Sequence, residues 1–361
     1  GVMACWGVFM RVPHGGPDAL GVPAYDFSTN GNACGPCPLA LVNVQDCDAR
    51  HYPDPSYAAL RQGLADFHAV EPWRIVLAGS ASEFISRITG WVYRGSRGDA
   101  PTQDSTTVSV PVHAYSDYAA MAQAWELAVV HQPHSAALSW ACEPSSPMGQ
   151  GQVEWSQAYL ATQVALTQRS VKRSVHVLDC AYAPLRLSGT PTVLASQRNS
   201  LWQLWSPNKA LGLTGVRGAY AIAPTDAHDT AVALNNLCPS WPLGVHAVAM
   251  LQAWVKPEVQ GWLSHTHVTL RGWKERQVSR LEALGWTCLP SDASFFAAQP
   301  FNHADDDADN CVPAIQHLRH AGVKLRDARS FGLPGYVRVS VLPPAAQDAL
   351  IQAWNIYRSQ Q

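Results

Sequence analysis

Strand-like and helix-like segments alternate along residues 74–223, and this alternation predicts an α/β fold, a mostly parallel sheet with helices on both faces. Long helical material follows at 245–285, and residues 286–361 read as a smaller α+β lobe. A chain of 361 residues accommodates this division, because it can bury a sizeable core and more than one lobe. The expected boundaries are an N-terminal arm at 1–45 serving the smaller lobe and the site, a large domain at 46–245 and a small domain at 246–361.

Residues 1–50 are rich in Gly, Pro and Asn and read as an extended arm crossing a surface. Its start, Gly1 to Met10, is apolar but lacks a basic leading region and a small-residue cleavage site, which suggests a folded arm in a cytoplasmic protein. Ser56, Tyr57, Leu60, Leu64 and Phe67 have helical spacing over 56–70, and Pro53 and Pro55 suit the entrance. Arg74-Ile75-Val76-Leu77-Ala78 is a buried-strand pattern ending at Gly79-Ser80, and a helix is expected from Ser82 to Tyr93. Thr107 to Val112 reads as a strand, Tyr118 to Val129 as a helix, Ala136 to Trp140 as a strand and Trp155 to Thr167 as a helix. Val175 to Leu178, Leu201 to Trp205 and Ala219 to Ala223 complete the strands. Ligands in such sheets bind beyond the carboxyl ends of the strands, where Ser80, Glu143, Asp179 and Lys209 all fall.

Composition narrows the function classes. The formal net charge is −2 with no block of like charges, so no nucleic-acid or anionic-membrane footprint shows. No apolar run is long enough to cross a bilayer. Fourteen tryptophans and 47% hydrophobic residues fit a compact enzyme rather than a disordered scaffold. Nine cysteines, an odd number without a small-domain disulfide pattern, favour a reducing compartment.

The chemistry concentrates in Ser206-Pro207-Asn208-Lys209 and in Arg217, eight residues after the lysine. Upstream, Val175-His176-Val177-Leu178 ends in Asp179-Cys180-Ala181-Tyr182. A lysine nucleophile, an acidic partner, a phenol and an anion-binding arginine are the parts needed to hold pyridoxal 5'-phosphate. Lys209 alone would be read as a surface lysine and Asp179 as a turn residue; their register with Tyr182, Ser206 and Arg217 favours the cofactor site. Free N–H groups at the helix start after Ala78-Gly79-Ser80-Ala81-Ser82 suit a phosphate independently. No metal site is expected: His131 and His134 have pair spacing but no further ligands nearby.

Further motifs extend the pattern: His14-Gly15-Gly16, Asp26-Phe27-Ser28-Thr29-Asn30-Gly31-Asn32, His51-Tyr52-Pro53-Asp54-Pro55, Tyr115-Ser116-Asp117-Tyr118 and Gly332-Leu333-Pro334-Gly335-Tyr336-Val337-Arg338. In this order the sequence resembles the class I/II aminotransferase group of pyridoxal-phosphate enzymes, from His14 to the C-terminus. The nearest subgroup by motif is the histidinol-phosphate aminotransferases and threonine-phosphate decarboxylases. The resemblance implies fold type I, with a mostly parallel seven-stranded sheet flanked by helices, and a homodimer in which Tyr52 reaches the cofactor phosphate of the partner subunit.

It further implies Lys209 as the Schiff-base lysine and proton shuttle, Asp179 on the ring nitrogen and Tyr182 on the phenolic oxygen. Ser80, Ala81, Ser82, Ser206 and Arg217 would hold the phosphate, and Tyr115 would stack on the ring. Arg338 would grip the substrate carboxylate and Arg326 a substrate phosphate, with His14 and Asn32 also facing the substrate, an amino acid with or without a phosphate. Ser146 stands where the family has the asparagine that touches the phenolic oxygen, and Glu143 places a charge near the site. His14-Gly15-Gly16 and Arg326-Asp327 tilt the expectation toward threonine-phosphate decarboxylation in cobalamin biosynthesis, with a histidinol-phosphate-type aminotransferase as the alternative. Two rivals remain: a non-catalytic pyridoxal-phosphate-binding protein and a dithiol oxidoreductase at Cys34-Gly35-Pro36-Cys37. Against the second, no tryptophan precedes the motif and no clear amphipathic helix follows Pro38.

Overall fold

The computed structural model describes residues 13–97, 106–133, 136–167, 174–301 and 307–361. The expectations for Gly1 to Met10 and His134 lie outside the described residues. In chain order come β1 (Tyr25–Asp26), α1 (Pro38–Asp46), α2 (Ala58–His68), β2 (Ile75–Ala78), α3 (Ala81–Ser96), β3 (Thr107–Ser109), α4 (Ser116–Ala124), β4 (Ala128–Val130) and β5 (Leu138–Cys142). Then follow α5 (Val153–Thr167), β6 (Val175–Asp179), β7 (Trp202–Trp205), β8 (Ala219–Ile222), α6 (His228–Asn236), α7 (Val245–Trp254) and α8 (Pro257–Ala283). The chain ends with β9 (Thr287–Cys288), β10 (Phe295–Gln299), α9 (Asp307–His320), β11 (Val323–Lys324), β12 (Arg326–Asp327), β13 (Val337–Ser340) and α10 (Pro344–Ser359).

Seven strands form the central sheet in the order β2-β8-β7-β6-β5-β3-β4. Only β8 runs against the others, pairing antiparallel with β2 and β7. The sheet is therefore mostly parallel, as the alternation predicted, and the ends of β2, β5, β6 and β7 share one edge. β5, β2, β7 and β8 are buried along their whole length. Such strands read as continuous apolar runs because helices cover both faces. The smaller C-terminal part is built on a four-stranded sheet, β12-β13-β10-β9. β1 joins that part by pairing in parallel with β11.

Four expectations change. The segment read as wholly extended contains α1, which starts with Pro38 in the first turn, where its missing N–H costs nothing. Its Ala40 is buried, and Leu39, Leu41 and Val44 pack against the main core. The helix expected to reach Val129 stops at Ala124: Glu126 takes φ 57°, Leu127 N–H returns to Ala122 O, and the chain leaves as edge strand β4. The strand expected to Val112 ends at Ser109, ahead of Pro111, which has no N–H for a ladder. The long helical stretch is two helices, α7 and α8, the second restarting with Pro257.

Candidate active site

Beyond the shared strand edge lies a cavity of about 280 Å³. Of the expected site residues, His14, Ser80, Ala81, Ser82, Tyr115, Ser146, Asp179, Tyr182, Ser206, Lys209, Arg217, Arg326 and Arg338 all line it. They come from the strand ends, the N-terminal segment and the C-terminal sheet, which are separated by more than 300 residues in sequence.

Asp179 closes β6 and is 4% exposed. Its Oδ1 accepts from Ala181 N–H at 3.0 Å and its Oδ2 from the Tyr118 hydroxyl at 2.5 Å. Burial pushes the Asp179 carboxyl up; the Tyr118 hydroxyl, Lys209 and the Ala181 N–H oppose it. Lys209 follows β7 in a tight loop. Its carbonyl accepts from Asn32 N–H at 2.8 Å and its Nζ lies 3.4 Å from Ser206 Oγ and 5.8 Å from the Tyr182 ring centre. Burial holds the lysine below its ordinary value, partly offset by Asp179. The loop requires glycine: Gly212 has φ 67°, and a Cβ on Gly35 would sit 2.9 Å from Gly212 Cα.

Ser80 caps α3, accepting from Glu83 N–H at 3.0 Å, while the first N–H groups of a helix have no partner within it. Arg217 lines the same side of the cavity and forms no ion pair among the described residues. Tyr115 accepts from Ser82 Oγ at 2.9 Å and donates to Asp117 at 2.9 Å, which fixes its ring at the wall.

Arg338 is 7% exposed, donating to Ser146 Oγ at 2.9 Å and Ser28 O at 2.7 Å. Arg326 donates to Asp327 O and Ser330 Oγ, both at 2.9 Å. The two guanidinium groups lie 5.5 and 4.9 Å from the Phe331 ring centre. Burial and then Arg338 push Arg326 down to about 10, and neither arginine has an ion pair among the described residues.

Several expected placements shift. Ser146 is engaged by Arg338. Glu143 does not line this cavity; its carboxylate turns away and accepts from Gln152 N–H at 2.7 Å and Thr192 N–H at 3.1 Å. Asn32 is buried but turned from the cavity, its amide donating to Ala210 O and Thr266 Oγ1 at 3.1 and 2.9 Å. Asn30 lines the cavity instead, within 3.3 Å of Tyr182 Oη and 3.2 Å of Arg338. Tyr52 lies outside, 78% exposed and stacked on Trp241 at 4.3 Å. Sequence reasoning also missed Tyr118, Phe331 and His113, whose Nδ1–H donates to Phe331 O at 2.6 Å. The Tyr115-Ser116-Asp117-Tyr118 spacing carried the signal for Tyr118, one helical turn after Tyr115. A helix does follow Cys37, yet Cys37 is 1% exposed and burial pushes the Cys34 thiol up, the reverse of a reactive thiolate.

Residues 25–353 match the family described as aminotransferase class I and II. The chain belongs to that family. Aminotransferases of this family are pyridoxal-phosphate-dependent enzymes, and the cofactor assigned from the lysine segment is that of the family. Among curated relatives, the histidinol-phosphate aminotransferase of Pseudomonas entomophila (strain L48) is 24% identical over 332 residues, 91% of this chain and 92% of its own. Histidinol-phosphate aminotransferase 2 of Burkholderia mallei is 26% identical over 340 residues, covering 91% and 90%. Among solved structures, the histidinol-phosphate aminotransferase of Sinorhizobium meliloti in complex with pyridoxal-5'-phosphate superimposes with TM-score 0.77 at 20% identity, over 100% of this chain and 99% of that one. The L-threonine-O-3-phosphate decarboxylase of Porphyromonas gingivalis gives 0.68 at 21% identity, over 92% and 97%. These likenesses establish the fold, fold type I, for the aminotransferase chain described here.

Proposed function

We propose that this aminotransferase moves an amino group between an anionic amino donor and a 2-oxo acid, with pyridoxal 5'-phosphate held by the residues around Lys209. The observation that carries the proposal is one cavity lined both by Lys209 and Asp179 and by two arginines lacking carboxylate partners, Arg326 and Arg338. The residues fit the cofactor: the α3 start, Ser206 and Arg217 offer donors to its phosphate, Asp179 an anion to its ring nitrogen, and Tyr182 a hydroxyl to its phenolic oxygen. When bound, the cofactor supplies an electron sink for the carbanion formed at the substrate carbon.

The chain's own residues do the rest. Asp179, whose carboxylate oxygens accept from the Tyr118 hydroxyl and the Ala181 N–H, would hold a proton on the ring nitrogen. Lys209 Nζ would take up and return protons, a role that its burial supports by lowering its affinity for the proton. Arg338 binds and orients a carboxylate through its planar fork. Arg326 suits a second anionic group, and Phe331 between the two excludes water. His14 borders the substrate end of the cavity.

The curated relatives favour histidinol phosphate as the amino donor, so amino-group transfer replaces decarboxylation as the first reading. Threonine-phosphate decarboxylation is the second reading, supported by the placement of Arg326 in the cavity and by the decarboxylase neighbour. The same proposal has the protein working in the cytoplasm as a homodimer; no helix among the described residues is long and apolar enough to cross a membrane.

Reconstituted protein should show a visible absorbance that Lys209→Ala removes; a colourless wild type overturns the cofactor assignment. Histidinol phosphate with 2-oxoglutarate should yield glutamate, whereas carbon dioxide from threonine phosphate would establish the second reading. Arg326→Gln should raise KM for the phosphorylated donor by roughly tenfold or more with kcat changed less, since charge-assisted bonds are worth about 1.5–3 kcal/mol.

A further inference from the structure

A second cavity, of about 710 Å³, lies on the other face of the central sheet. Leu178 and Cys180 of the β6 segment line it, while Asp179 between them faces the first cavity, as alternation along a strand requires. Helices α2 and α8 form the opposite side through Phe67, His68, Leu263 and His267. Phe67, Leu178, Trp205, Ile222 and Leu263 give its walls an apolar part beside the polar side chains.

Arg198 departs from this setting. It comes from the short 3-10 segment Ala195–Ser200 and lines the cavity. Its Nε is fully buried without a hydrogen-bond partner, and its guanidinium has no ion pair among the described residues. Its charge reaches His68 and Cys180, where it helps to lower both groups, although burial is the larger influence on each. The other charged groups of the cavity are occupied. Glu143 accepts from Gln152 and Thr192, and Arg186 lies 3.5 Å from Asp292. His267 Nε2–H donates to Pro184 O at 2.6 Å, and burial with Arg198 holds His68 near 4, hence neutral at physiological pH. The buried Nε leaves a charged donor of Arg198 unsatisfied, a cost that an anionic partner would relieve.

We propose that this cavity is a binding site for an amphipathic organic anion, with its carboxylate on Arg198 and its apolar body against Phe67, Trp205 and Leu263. The volume lies within the range of about 300–1,000 Å³ typical of small-molecule pockets. A guanidinium fork matches a carboxylate in two parallel bonds. A small inorganic anion would leave the apolar walls wet, and a neutral apolar ligand would leave Arg198 unpaired. The site is separate from the Lys209 cavity and stands whichever reaction that cavity performs.

Calorimetric titration of the cofactor-loaded protein with naphthalene-2-carboxylate tests it. One molecule should bind per chain, and the neutral naphthalene-2-methanol should bind at least tenfold more weakly. Arg198→Gln should weaken the carboxylate at least tenfold, and Leu263→Trp, which fills the cavity, should abolish its binding; both variants should keep the visible absorbance of the cofactor. Absence of binding overturns the proposal, as does binding unaffected by both variants, which would place the probe in the Lys209 cavity or on the surface. Without ligand, Arg198→Gln should melt no lower than wild type, because it removes an unpaired charge. A fall of several degrees would make Arg198 a structural residue and overturn its role as an anchor.

Discussion

Asp179 shows how much a site depends on residues outside its motif. A carboxylate that is 4% exposed is driven toward protonation, and a protonated Asp179 could not hold charge on a ring nitrogen. The Tyr118 hydroxyl, itself fixed by stacking on Trp140 at 4.7 Å and 14°, opposes this from 2.5 Å. Tyr118→Phe keeps the stack and removes only the hydroxyl. It should weaken cofactor binding roughly tenfold, in line with about 1.5–3 kcal/mol for a hydrogen bond to a charged group. Absorbance titration reads this, and the melting temperature should change little. Asn30 and Asn32 show the limit of motif reading at the same scale. Both belong to one short motif, but only packing against Ala210 and Thr266 turns Asn32 away and leaves Asn30 facing Tyr182 and Arg338.

Among the elements, β6 carries the site on one face and a titratable load on the other. His176 is 4% exposed, its Nε2 has no partner, and the Trp155 and Tyr159 rings lie 5.7 and 5.6 Å away. Burial lowers it from 6.5 to about 4. The folded value lies below the unfolded one, so the unfolded chain binds the extra proton between them. This stability is therefore present in full above about pH 6.5 and lost as pH falls toward about 4. Melting temperatures measured from pH 7 to 4.5 should drop less steeply in His176→Phe than in wild type. The elements whose apolar period was long, such as β5, β6 and α3, were readable in the chain. β4 was not: Ala128-Val129-Val130 continues a helical pattern, and pairing with β3 makes it a strand.

For the whole molecule, the exposed Tyr52–Trp241 stack fits the proposal that a second chain covers this face, since Tyr52 reaches nothing in its own cavity. Sedimentation should then give a dimer, and Tyr52→Phe should weaken cofactor binding several-fold without changing the visible spectrum. A monomer at micromolar concentration would remove Tyr52 from the site. The C-terminal sheet matters equally, because Arg338 on β13 reaches Ser146 after β5 and Ser28 near the N-terminus. The cavity is thus closed by contacts between its two ends and the arm.

Periodicity, motif order and the lysine segment were enough for the α/β class, the family, the cofactor and most of the residues that line the cavity, because each is a local pattern or a fixed spacing. The company those residues keep was not written locally. Tyr118 on Asp179, Ser146 on Arg338, Glu143 turned to Thr192 and an unpaired Arg198 in a second cavity all join segments far apart in the chain. Their partners are chosen by which strand faces are buried together, and that is settled only when the sheet closes.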